Sequence, residues 1–139
     1  MAAFNKFEVF TENLAEKVHD LDLDLVKVML VNSPAPVATN SVKADLTEIA
    51  AGNGYTAGGA DATAATSRAG GTTSVTGVDI TWTASVGSIG PFRYAILYND
   101  TPTLPADPLI GWWDYGSSLT LNAGESFVID FGTSMFTLA

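Results

Sequence analysis

No cysteine occurs among the 139 residues, which excludes a disulfide framework and any thiolate metal site. A chain of this length buries enough apolar surface to fold without such staples, so the absence fixes no compartment. Positive charge is scarce as well: 6 Lys and Arg stand against 15 Asp and Glu, a net charge of −9. That balance argues against nucleic acid and against an anionic membrane surface, since both are held by Lys and Arg. No segment is both long and apolar enough to span a bilayer. The start, "MAAFNKFEVF", lacks the basic residues, apolar run and small-residue cleavage site of a secretory leader. The expectation is therefore a chain made, and first used, in the cytoplasm. Charged residues make up 15%, against about 25% in ordinary soluble domains, and Gly, Ala, Ser and Thr take their place. Extended β proteins and assembly subunits share that substitution.

Groups that perform catalysis are equally few. His19 is the single histidine, and no serine-centred motif surrounds it, so it reads as a helix-end or surface residue. "DLDLD", with Asp20, Asp22 and Asp24, begins like a calcium loop. The sixth and twelfth positions, which need Gly and Glu, hold Leu25 and Val31. Its carboxylates are expected in water at a turn. The glycines of "AGNGYTAGG" match neither a phosphate-binding loop nor a dinucleotide fingerprint, and they predict turns with positive φ. The chain is not expected to be an enzyme, and neither a cofactor nor a metal is implied.

What is present is strand pattern. Residues 1–20 form an N-terminal helix or arm. Phe4, Phe7, Phe10 (or Thr11), Leu14 and Val18 recur every three to four residues, a helical stripe. Leu25–Val31 reads as a central strand, apolar on both faces and stopped by Pro34 and Pro36. A short helix is expected from Asn40 or Ser41. Residues 51–74 carry few large side chains and read as a Gly/Ala/Thr-rich surface loop, or as an arm that orders against a neighbour, although Ala and Thr alternate over 61–66. From Val75 onward strands follow closely. "VDITWTA" sets Val78, Ile80, Trp82 and Ala84 on one face, "FRYAILY" sets Phe92, Tyr94, Ile96 and Tyr98, and "SFVIDFG" sets Phe127, Ile129 and Phe131. The fold predicted is mainly β: a single domain over 1–139, an antiparallel β-sandwich or jelly roll with one short N-terminal helix.

Three long strings, "LVKVMLVNSPAPVATNSVKADLTEIAAGNGYTAGG", "GSIGPFRYAILYNDTPTLPADPLIGWWDYGSS" and "LTLNAGESFVIDF", resemble a family of small tailed-bacteriophage virion proteins. The likeness runs from about Phe4 to Leu138. It implies a structural protein of the particle, first of all a capsid decoration or cement protein on the head exterior. Such a protein meets the major capsid protein or other virion proteins, and copies of itself. It implies no catalytic residues. Two other roles fit the same residues: a tail or head-fibre module that holds a host glycan on exposed aromatics, and a head–tail completion or tail-tube protein.

"IGWWDYGSS", residues 110–118, raises the question of cover, because adjacent strand residues face opposite ways. Alternation puts Leu109, Trp113 and Tyr115 toward the core and Ile110, Trp112 and Asp114 away from it. Trp112 then needs another surface over it. Trp112 and Ile110 are the expected contacts with a partner subunit, the alternative cover being a loop of the same chain such as "NDTPTLPADP". Phe4, Phe7 and Phe10 of the N-terminal stripe either pack on the chain's own sandwich or join that contact as an arm docked on a neighbour.

Overall fold

Phe92, Tyr94 and Ile96, and across from them Leu109, Trp113 and Leu121, belong to the longest hairpin of the molecule. The structure, a computed structural model, describes residues 2–139. Chain order is β1 (Asn5–Lys6), α1 (Val9–Ala15), β2 (Val26–Val31), a 3-10 turn (Lys43–Asp45), β3 (Ala60–Asp61), β4 (Ala65–Ala69) and β5 (Thr72–Thr76), then β6 (Ile80–Thr83), β7 (Ile89–Asn99), β8 (Leu109–Leu121), β9 (Ser126–Ile129) and β10 (Phe136–Leu138). All pairings are antiparallel. Five strands form one sheet in the order β1-β8-β7-β2-β3, three form a second as β10-β5-β4, and β6 and β9 pair alone. The mainly β, sandwich-like architecture expected from the alternation is the one observed.

Two apolar clusters sit on opposite faces of the five-stranded sheet. The larger joins Val28, Leu30, Leu97 and Trp113 to Val75 and Phe136 of the three-stranded sheet and to Trp82 and Ile129 of the β6–β9 pair. The smaller gathers Met29, Val31, Ile96, Tyr98 and Leu109 under Phe7, with Leu46 and Trp112 packed against it. This explains why β2 is apolar on both faces: Val26, Val28 and Leu30 enter one cluster, Met29 and Val31 the other.

The N-terminal segment closes the second face, and it does so without forming one helical stripe. Asn5 and Lys6 pair with Trp112 and Gly111 as a strand, and α1 is confined to Val9–Ala15. Odd spacing in extended chain reverses the face, so Phe4 packs on the larger cluster and Phe7 on the smaller. Past the turn into α1, Phe10 returns to the larger.

Residues 51–74 fold onto their own chain, which corrects the reading of a loop or arm. β3 pairs with β2, and β4 and β5 form a hairpin beside β10. Thr, Ser and Ala supply little burial there. The ladder hydrogen bonds and Val75 hold the hairpin, and every residue of β4 is exposed. The Asp22 carboxylate accepts from the Thr66 amide at 3.0 Å and from its hydroxyl at 3.3 Å.

The glycines of "AGNGYTAGG" do take positive φ, at Gly52, Gly54, Gly58 and Gly59. At Gly59 a Cβ would run into the Val28 carbonyl, so backbone closeness as well as φ requires glycine. Asp45 caps the 3-10 turn, accepting from the Ser41 and Val42 amides. Val78, expected inside, is exposed.

Bulges correct the face assignments along the hairpin. Leu97 pairs with Gly111 and Tyr98 with Leu109, which leaves Ile110 without a partner. That extra residue reverses the alternation. Ile110 therefore joins Trp113 in the larger cluster, and Leu109 joins Trp112 on the other face. A second irregularity at Arg93 sends Phe92 to the opposite face from Tyr94, Ile96 and Tyr98.

Candidate functional site

The irregularity at Arg93 also builds an apolar concave feature. Phe92 pairs with Leu119 and Tyr94 with Asp114, so four residues, Tyr115–Ser118, stand opposite Arg93 alone. Gly116 makes the excursion possible at φ +102°. The Asp114 carboxylate fixes its base, accepting from the Gly116 amide at 2.8 Å, from Arg93 Nε at 2.8 Å and from Arg93 Nη2 at 3.1 Å. That fork holds the Asp114 carboxyl below the usual carboxylate range, and Arg93 is raised by the same bonds. The guanidinium also lies 5.3 Å from the Tyr94 ring centre. Both partners are solvent-exposed, so the pair positions the excursion more than it stabilises the fold. Asp114→Ala is expected to lower stability by no more than about 1 kcal/mol, read by urea unfolding.

Where β8 swings out, a groove of about 380 Å³ opens between the β7–β8 hairpin and β9. Its floor is larger-cluster residues, including Phe92, Ala95, Trp113 and Ile129. Rings continue outward from it: Phe127 lies 5.0 Å from Phe92, and Tyr115 lies 5.5 Å from Phe127. Tyr115 is 55% exposed and Val128 54%. Tyr115, read from the sequence as core, is thus a wall of the groove. Asp130 stands at its mouth, accepting only from the Gly132 amide, and forms no ion pair among the described residues.

None of the residues expected as partner contacts lines this groove. Ile110, Phe7 and Phe10 are wholly buried in the chain's own clusters, which corrects their assignment to a partner surface. Phe4 stacks on Phe136 at 4.8 Å and meets the edge of Trp113 at 5.4 Å. Trp112 is half-buried, and its cover is Phe7, 4.6 Å away; the Phe7 amide donates to the Ile110 carbonyl at 3.1 Å. The N-terminal segment therefore covers the second tryptophan ring. Sequence reasoning passed over Phe127, Val128 and Asp130 as an ordinary half-buried strand. The one local signal was "YGSS", where small polar residues and a glycine interrupt an apolar strand.

His19 also departs from expectation: it is 9% exposed. Its Nδ1 lies 3.0 Å from Asn99 Nδ2, which also donates to Asp24 Oδ2 at 2.7 Å, while Asn99 Oδ1 accepts from the Thr101 amide. With Asn99 as donor, Nδ1 is the acceptor and the imidazole is neutral. The ring lies 5.4 Å from that of Phe10. Burial lowers the His19 pKa to about 4 against a smaller raising effect of Asp24. The other "DLDLD" carboxylates cap turns: Asp20 accepts from the Asp22 and Leu23 amides, and Asp24 from the Asp20 amide. Among the described residues no group of three His, Cys, Asp or Glu side chains is placed to hold a metal ion.

The arrangement offers binding surface, with an aromatic floor and a rim of fixed charge. No protein-family model, curated protein or solved structure matches the chain, so its resemblance to phage virion proteins rests on the sequence strings alone.

Proposed function

We propose that this chain is a structural subunit of a tailed-phage particle, a decoration protein that seats on the outer shell through the groove beside β9. The observation that supports this reading is the groove itself: an aromatic floor continuous with the core, with Tyr115 and Val128 left more than half exposed beside it. Exposed apolar surface gathered around a concavity on rigid strands marks an interaction site. The mechanism is non-covalent. A subunit that buries this surface across a shell boundary loses that burial when the shell parts, so its binding energy opposes separation.

The test is attachment of purified protein to undecorated shells, followed by co-sedimentation, with copy number counted in intact particles. Hundreds of copies and saturable attachment are expected. Tyr115→Ala with Val128→Ser should lower affinity at least about tenfold, as loss of central apolar contacts does, while the melting temperature holds because both sites are exposed. A copy number of six to eighteen would sink the decoration role in favour of a connector or tail part. A second reading, a host-glycan module, is favoured by Tyr115 standing exposed beside the Arg93–Asp114 fork, since sugars stack on such rings. Specific glycan-array binding abolished by Tyr115→Ala would establish it in place of shell attachment.

A further inference from the structure

The lining of the groove says more about its occupant. Phe127, Val128, Ile129 and Asp130 all border it, four consecutive residues of one strand and its end. Neighbouring strand side chains point to opposite faces. The cavity runs alongside β9 at its edge, as it also runs alongside Phe92–Ala95 of β7. That edge is open among the described residues, where β6 alone pairs with β9. Among the described residues no side chain bonds to the backbone of Phe127, Val128 or Ile129. Across the groove, β1 pairs with Gly111 and Trp112 of β8, and Ala2, ahead of β1, also borders the groove.

The floor beneath is unevenly covered. Leu30 and Phe92, which border the groove, keep 0% and 1% exposure, whereas Trp113, Tyr94, Ala95 and Ile129, which border it too, keep 5–8%. Charge narrows the occupant further. Asp114 is matched by Arg93, but Asp130 is unmatched. A second copy of this chain would bring another net −9 against the first.

We infer that β9 is a strand acceptor. Its ligand is an extended segment of a different, basic protein chain, which adds to the β6–β9 pair as a third strand. It lays one apolar side chain over Trp113 and Phe127 and sets a Lys or Arg against Asp130. Main-chain hydrogen bonds to β9 supply the affinity, and the aromatic floor and Asp130 supply the choice of sequence. This names the partner of the docking groove and rests on the reading of that groove as a contact surface.

The probe is a fluorescent peptide, Lys-Val-Lys-Phe-Lys-Val-Lys, compared with its Glu-for-Lys counterpart and with a version N-methylated at alternate amides. Fluorescence anisotropy with the full chain should show the basic peptide binding at least about tenfold more tightly than either control, the N-methylated one having lost its ladder bonds. Asp130→Asn should weaken it by up to about fivefold, the range of an exposed ion pair. Val128→Lys, at an exposed position, should weaken it more. Equal binding of all three peptides, or none at millimolar concentration, overturns the inference, as does concentration-dependent dimerisation abolished by Val128→Lys. Shell attachment separates the two claims. Attachment lost in Val128→Lys while all three peptides bind equally overturns the strand acceptor and spares the docking role, and attachment that persists in Val128→Lys overturns both. Peptide binding without shell attachment does the reverse.

Discussion

Trp113→Ala lowers the stability of this protein by about 3–5 kcal/mol, the usual cost of truncating a core aromatic. Trp113 is 5% exposed and lies in the larger cluster, with Phe4 at its edge and Phe131 5.7 Å away. Removing the indole strips cover from both and leaves a cavity that opens directly into the groove. For a chain of this size the loss corresponds to a fall in melting temperature of roughly 10–15 °C. Trp112→Ala is the control. Its ring is half-buried and meets Phe7 on a face closed by the N-terminal segment, so about 1–2 kcal/mol is expected, roughly half of a full burial. Urea unfolding followed by far-ultraviolet circular dichroism measures both. Equal losses would mean that the sheet does not separate the two rings as described.

Acid should weaken the fold through His19. Its pKa in the folded chain is about 4, below the ordinary 6.5, because burial disfavours the imidazolium. The unfolded chain therefore binds the proton first. The stability that His19 contributes is fully present above about pH 6.5 and is lost progressively down to about pH 4. The total is about 3 kcal/mol, from a shift of roughly two and a half pH units. Geometry gives the same sign, since a proton on Nδ1 would face the Asn99 amide donor 3.0 Å away. His19→Asn keeps an acceptor for Asn99 and removes the titration. Between pH 6.5 and 5, where most carboxylates stay ionised, the wild type should lose stability and the variant should stay nearly level. Parallel curves would show that the acid sensitivity belongs to other groups.

How far the sequence foretold this molecule follows from what alternation can encode. β2, β6 and β9 carry uninterrupted patterns, and their inward residues are as expected: Val28 and Leu30, Ile80 and Trp82, Ile129. The hairpin misled because alternation presumes uniform pairing. One unpaired Ile110 exchanges the faces of Leu109 and Ile110, and one Arg93 opposite four residues moves Phe92 and Tyr115. Nothing in "LIGWW" marks the extra residue, whose position is set by pairing with Leu97 and Tyr98 some dozen residues earlier. The N-terminal phenylalanines failed for a related reason. A spacing of three suits a helix face, but it equally places extended residues on opposite sides of a sheet edge. Poor apolar content hid β4 and β5, because their order comes from backbone pairing. The groove was illegible for a different reason: it arises where an excursion of β8 meets the open side of β9, and that meeting is set by which strands pair, not by a pattern within either segment.

The Asp22 carboxylate on the Thr66 amide has a consequence for the order in which strand edges would fill. An incoming strand at β4 must first displace two hydrogen bonds, whereas at β9 no side chain occupies the backbone. A chain that accepted strands along both sheets would cross-link its partners into an open network. With β4 occupied by its own Asp22, the strand-acceptor reading has a tail meet less competition at β9 than at β4. A shell dressed in this way would fill its β9 sites first, and tails at β4 would follow only at higher concentration.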